Sequence, residues 1–430
     1  MHFDALVFAA LIYVGLLFVV AWAADRAAAR GRTSWSDRPI VYTLSLSVYC
    51  TAWTFYGAVG NASRTGLEFA TIYLGPTVVL AGSWWGLRRL VRVAKMHRVT
   101  SVADLISARF GKSNTLAALI TLISLIAATP YLALQLQSIS LSFAAFGEGD
   151  VLPGPLDLWV AGGLAVFSIL FGTRNLAADE RHHGVVMAIA VEAVVKLLAF
   201  VALGIWVIWG LADGPGDVIA RIAERANDPD AAGWVLRPDR WTALIAISAA
   251  AVVTLPRMFQ VLVIEPADET PLNSAAWAFP AYLMAMSLFV LPIAVIGREM
   301  LPTDASPDLY VLHLPLSQGA DGLALLVFLG GLSSATSMVI ISAIALATMI
   351  SNHWLVPLYL GWRRSRGDDA ANVSLRQPLL ISRRIAILAV IAAGAIYQAV
   401  GGGQALSAMG TVAFVGVAQL AQRKDAFEAL

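Results

Sequence analysis

Apolar runs long enough to cross a bilayer recur from one end of this chain to the other, and they decide its class. A hydrocarbon layer about 30 Å thick takes about 20 helical residues to cross. Runs of that kind lie near 5–24, 41–60, 69–93, 115–146, 158–173, 184–211, 241–264, 276–297, 320–350, 380–400 and 404–421. They predict an all-α polytopic membrane protein of about eleven transmembrane helices. The first run begins at Asp4 without a basic stretch or a clear cleavage site, so it reads as a helix of the protein and not as a signal peptide. Of the 430 residues, 59% are hydrophobic and 13% charged, about half the charge of an average soluble domain. That excludes a soluble enzyme and a disordered chain. A net charge of +1 gives polyanions such as nucleic acid no general attraction. Cys50 is the only cysteine, so an internal disulfide and a multi-cysteine metal site are both excluded.

Basic residues in short loops orient the chain. Arg26, Arg30, Arg32 and Arg38 lie in loop 25–40, seven basic residues lie in loop 88–112, and Arg363, Arg364, Arg366 and Arg376 lie in loop 361–379. With about eleven spans these loops share one side, the cytoplasmic one, which puts the N-terminus outside and the tail 422–430 inside. The loops at 147–157 and 212–240 fall outside. Loop 265–275 is acidic yet falls inside, a mild conflict, since acidic residues weigh little in this rule.

With the first helix set aside (1–40, with its cytoplasmic loop), ten helices remain. They divide into two groups of five, 41–211 and 241–421, separated by an external loop at 212–240. An odd number per group makes the two groups enter the membrane in opposite senses, as in the inverted repeats of secondary transporters. The third member of each group, 115–146 and 320–350, is the longest in its half. The first member of each carries a breaker: Gly57-Ala58-Val59-Gly60 in one and Thr254-Leu255-Pro256 in the other. Proline frees carbonyls within a helix, which either kink and re-pair or take up a cation; the sequence leaves both open.

Several polar residues fall inside the spans. The ninth, FLGGLSSATSMVIISAIALATMIS, holds Ser333, Ser334, Thr336, Ser337 and Ser342. Such hydroxyls either bond back to their own helix or offer neutral oxygens to a hard monovalent cation. The second, SLSVYCTAWTFYGAVG, brings Trp53, Phe55 and Tyr56 beside its breaker. These rings close over an organic solute, pack, or form an interface belt. Glu192 and Lys196, spaced i, i+4, are either a self-neutralising pair or a relay. Adjacent His182 and His183 diverge on a helix and read as a solvated cytoplasmic end. Gly401-Gly402-Gly403 reads as an external turn, with no strand or Gly-Lys-Ser/Thr to make a phosphate loop.

The segment TSVADLISARFG (100–111) resembles the signature after the second core helix of sodium/solute symporters, and SSATSM in the ninth span is similar to that family's eighth core helix. Physically, 100–111 is a short amphipathic helix with Ser101 and Asp104 at capping-box spacing. SLSVYCTAWTFYG, LPRMF (255–259) and ERHHGVVMAIAVEAVVKLLAF (180–200) resemble more closely the symporter-like membrane part of bacterial sensor histidine kinases. The resemblance runs from about 41 to 421. It implies a LeuT-type 5+5 inverted repeat with one extra N-terminal helix, in the cytoplasmic (inner) membrane. It also implies a sodium site at the hydroxyls of Ser333 and Ser334 and the carbonyls of Ser47, Cys50 and Gly330, with Na⁺ as coupling ion and no other cofactor. Tyr49 stands where the sodium/proline symporters have an aspartate, and Gly330 where an alanine is usual. A small organic solute is expected near Trp53, Tyr56, Gln135, Gln137 and Arg257. Arg257, if at membrane depth, must pair or face water; nearer the cytoplasm it snorkels.

Two functions follow. One is a sodium-coupled symporter of an amino acid or carboxylate working by alternating access. The other is the solute-sensing input domain of a two-component sensor histidine kinase, here truncated before the kinase. The tail QRKDAFEAL holds no phosphoacceptor helix or ATP lid, so no enzyme activity is expected of this chain. A kinase or response-regulator module is a partner expected of full-length relatives.

Overall fold

The computed structural model describes residues 3–31, 38–147, 153–173, 181–229, 231–366, 376–401 and 406–418. Every regular element among them is helical. Among the described residues six helices are long and apolar enough to cross a membrane: those beginning at Asp4, Asn114, His183, Leu272, Asp321 and Arg376. Pro238–Thr254 and Pro256–Ile264 make a seventh when taken together, bent by 53°. The other expected crossings are divided between shorter pieces. Run 69–93 becomes Thr71–Gly82 and Trp84–Met96, and the last run is described as Leu406–Ala418. Most of the predicted turn after Gly401, and the tail, lie outside the described residues.

Packing between the two groups is reciprocal. The third helix of the second group, Asp321–Ile350, packs on the fifth of the first, His183–Trp206; the fifth of the second, Leu406–Ala418, packs on the third of the first, Asn114–Ala144. The first of the second group, Pro238–Thr254, lies on Thr71–Gly82, and the second, Leu272–Ser287, lies on Pro39–Ser45. Exchange of the groups thus maps each of these contacts onto its counterpart. The fold is the LeuT-type helical bundle, with the extra helix Phe3–Ala29 against His183–Trp206.

Both first members are broken, but not both where the sequence suggested. The second-group break is at Leu255, extended at ψ 125° between Thr254 and Pro256, as expected. In the first group Gly57–Gly60 stays helical. The chain instead tightens at Leu46–Tyr49, turns extended at Cys50 (ψ 93°) and restarts as Trp53–Gly57 and Ala58–Thr65. The glycines there serve close packing: a Cβ on Gly60 would fall 1.7 Å from an Asp308 carboxylate oxygen.

The helix at Val102–Arg109 forms with Ser101 as its cap, the hydroxyl accepting from the Asp104 amide at 3.1 Å. Asp104 reaches back to the Thr100 amide at 3.0 Å, one residue earlier than a capping box would place it.

Candidate functional site

The break at Cys50 frees carbonyls and amides that lipid cannot satisfy. Side chains from three other helices take them up. Gln135 accepts from the Ala52 amide at 3.0 Å, and Tyr73 donates to the Thr54 carbonyl at 3.1 Å. The Lys196 ammonium donates to the carbonyls of Ser47 (2.7 Å) and Cys50 (2.8 Å). Lys196 is fully buried. It comes from His183–Trp206, so the fifth helix of the first group closes the break in the first.

The carbonyls to which the resemblance assigns a sodium ion therefore already accept hydrogen bonds. Gly330 accepts from Ser334 at 2.9 Å, and Ser333 donates to Leu329 at 2.7 Å while meeting the Tyr13 hydroxyl at 2.6 Å. Of the five named ligands, Ser47 and Cys50 are joined by Lys196, while Gly330, Ser333 and Ser334 are satisfied within or beside their own helix. Glu192 and Lys196 form no ion pair among the described residues. Glu192 instead accepts from the Thr336 hydroxyl.

At the second break Arg257 is 2% exposed. Its guanidinium lies over the Tyr131 ring, 4.4 Å from the centroid, and its Nε and Nη2 meet no hydrogen-bond acceptor. Tyr131 joins the two breaks, because its hydroxyl bonds that of Thr51 at 2.8 Å. Phe414 stacks on Tyr131 with ring centroids 5.7 Å apart, and Trp53 meets Phe414 edge-on at 5.7 Å. The Trp53 indole N–H is buried without an acceptor. Arg257, Tyr131, Phe414 and Trp53 thus form one aromatic-walled cluster with unanswered donors.

Of the solute residues expected from sequence, Arg257, Trp53 and Gln135 gather at the breaks. Tyr56 turns away: its hydroxyl accepts from Ser142 at 3.0 Å and presses on Gly331, where a Cβ would lie 1.6 Å from it. Gln137, two residues past Gln135 and so on another side of the helix, is half-buried. Tyr131 was not singled out from the sequence, although it follows Pro130 and stands one turn before Gln135; Phe414, alone in a weakly patterned helix, left no signal.

The two ends of the bundle are tied by ion pairs. At one, His182 is buried, not solvated as expected: Glu265 accepts from its amide at 2.8 Å and meets its Nδ1 at 2.9 Å, and Gln260 donates to the same carboxylate at 2.8 Å. Glu269 pairs with Arg92 at 2.6 Å, so the acidic loop 265–275 neutralises a basic one. At the other end Arg64 bonds Asp308 at 2.8 Å, and Asp308 also accepts from the Leu406 amide at 3.2 Å. Lys196, Arg257 and Trp53 are all buried.

No protein-family model matches the chain. A stretch of 104 residues is 35% identical to an uncharacterized symporter, YodF, of Bacillus subtilis strain 168; it covers 24% of this chain and only 20% of that relative. Among solved structures, a Na⁺-coupled sialic acid symporter in a substrate-bound outward-open state superposes with a TM-score of 0.66 at 12% identity, over 95% of this chain and 86% of that one. A variant of the manganese transporter of Eremococcus coleocola superposes with a TM-score of 0.52 at 14% identity, over 90% of this chain and 76% of that one. At these identities the likeness is one of fold: this is a multi-pass membrane protein with the helical bundle of transporters.

Proposed function

We propose that this chain is a secondary transporter of a small organic solute bearing a carboxylate, and that it works by alternating access. Arg257 carries the proposal. A buried guanidinium whose Nε and Nη2 lack acceptors is costly unless something pairs with them, and it lies at the junction of two broken helices. A carboxylate there would accept from Nε and Nη2 in the fork geometry that arginine offers. Trp53, Tyr131 and Phe414 would enclose the rest of the solute, with the indole N–H of Trp53 as a further donor. Opening one set of end ties while the other stays made would expose the cluster to one side at a time. One monovalent cation entering down 100 mV releases about 2.3 kcal/mol, enough for roughly a fifty-fold gradient of a carboxylate solute without net charge, such as a zwitterionic amino acid. Sodium coupling through Ser47, Cys50, Gly330, Ser333 and Ser334 would first have to displace the ammonium of Lys196.

The test is uptake of labelled carboxylates, amino acids and neutral analogues into proteoliposomes, with and without Na⁺. Carboxylate uptake that disappears in Arg257→Gln and survives weakly in Arg257→Lys is the expected outcome. Undiminished uptake by Arg257→Gln, or none by folded wild-type protein, would refute it.

A further inference from the structure

The sodium site implied by the resemblance and the residues actually present do not fit each other, and the misfit is specific. A sodium ion at the first break needs the Ser47 and Cys50 carbonyls as ligands, and both are held by one ammonium at 2.7 and 2.8 Å. It needs the Gly330 carbonyl and the Ser334 hydroxyl, and these are bonded to each other at 2.9 Å. Two cations sharing the same pair of carbonyls in a buried, low-dielectric place would repel strongly. Glu192, one helical turn before Lys196, accepts from the Thr336 hydroxyl instead of forming an ion pair with the ammonium.

We infer that Lys196 is this chain's own resident cation: its ammonium bridges the break in the first helix of the bundle to the fifth, and so performs the role otherwise given to a bound sodium ion. A diffusible ion joins Cys50 to the ninth span by coordination and leaves on release. A tethered one holds the break to His183–Trp206 without any ion from solution. The bundle then closes in sodium-free medium, and any Na⁺ dependence of transport has to arise elsewhere. This deepens the transporter reading by specifying its ion requirement, but the test below measures ion binding without transport, so a failure of either is told apart from a failure of the other.

The full chain is purified in detergent. Its thermal unfolding is followed in NaCl and in N-methyl-D-glucamine chloride at equal ionic strength, and ²²Na⁺ binding is measured on the same protein. Wild type is expected to show neither a Na⁺-specific rise in Tm nor saturable ²²Na⁺ binding. Lys196→Ala empties the ammonium position. It should unfold several degrees lower in the organic cation and recover part of that loss specifically in Na⁺, with apparent Na⁺ affinity raised at least about tenfold. Lys196→Arg keeps a charge on the tether and should remain indifferent to Na⁺. Saturable ²²Na⁺ binding by wild type that Ser334→Ala removes would overturn the inference. So would a folded Lys196→Ala that gains no Na⁺ response. If Lys196→Ala does not fold, Lys196→Met, which keeps the length of the stem, replaces it, and the wild-type ²²Na⁺ measurement decides by itself.

Discussion

At the scale of single residues, burial separates two cations that the sequence presents alike. Lys196 spends its charge on two carbonyls, whereas Arg257 has an aromatic face and two N–H groups without acceptors. Removing them should therefore have opposite effects on stability. Arg257→Met should abolish uptake of carboxylates yet leave the protein as stable as wild type or more so, by about 1–4 kcal/mol, because a buried charge with two nitrogens lacking acceptors is replaced by an apolar side chain. Thermal unfolding and uptake on the same preparation check this, and a strongly destabilised Arg257→Met would mean that the guanidinium is structurally paired. Gly331 gives a second residue-scale prediction. A Cβ there meets the Tyr56 hydroxyl at 1.6 Å, so Gly331→Ala should cost about 1–3 kcal/mol through overpacking. Tyr56→Phe in the same chain should recover part of the loss; no recovery would show that the clash lies elsewhere.

At the scale of elements, the breaks hold only because side chains answer the backbone groups they free. Gln135 accepts from the Ala52 amide, so Gln135→Leu should leave a buried donor unmet at about 1–3 kcal/mol. Gln135→Glu, which keeps an acceptor, should be milder in thermal unfolding; equal loss from both would point to packing rather than to the hydrogen bond. The second break was legible because Pro256 cannot donate to its own helix. The first was misplaced onto Gly57–Gly60, since glycine in a helix marks either a break or a close approach. The neighbours that show it to be a close approach, Asp308 and Trp53, are distant in sequence or hidden in the same turn. The hydroxyls of the ninth span likewise left two readings open, and back-bonding of Ser334 and Ser337 to their own helix is what the structure holds.

At the scale of the whole molecule, the proposed alternating access would have the ties at the two ends open in turn. Burial raises the carboxyl of Glu265, but the attraction and hydrogen bonds of His182, with that of Gln260, outweigh it and hold the group below its ordinary value of 4.5. The unfolded chain therefore binds the proton more readily. The tie contributes stability above the unfolded value, and that contribution is lost as pH falls through the depressed folded one. Glu265→Gln should accordingly be less stable than wild type at neutral pH and lose less on acidification below about pH 4.5; parallel melting curves against pH would remove Glu265 from the acid response. Cys50, the only cysteine in the chain and fully buried at the first break, is a built-in reporter of opening. A small methanethiosulfonate should modify it at least about tenfold more slowly in the folded wild type than in urea, and faster in Lys196→Ala than in wild type. Rapid modification of the wild type would mean that the break is open to water.

The sequence by itself determined that this is an all-helical membrane protein and that Pro256 interrupts one of its helices, and it led to the expectation of two groups of opposite sense. The first two follow from local properties: apolar length against the thickness of a bilayer and a residue without an amide hydrogen. Only the tertiary structure decided where the first helix breaks and what each buried charge faces. Lys196 and Glu192 stand one turn apart on one helix and would be assigned to each other from spacing. The partners they choose, Ser47 and Cys50 for one and Thr336 for the other, come from helices about 145 residues away in either direction. A charge in lipid takes the strongest polar partner that the packed bundle brings within reach, and no local pattern records which one that is.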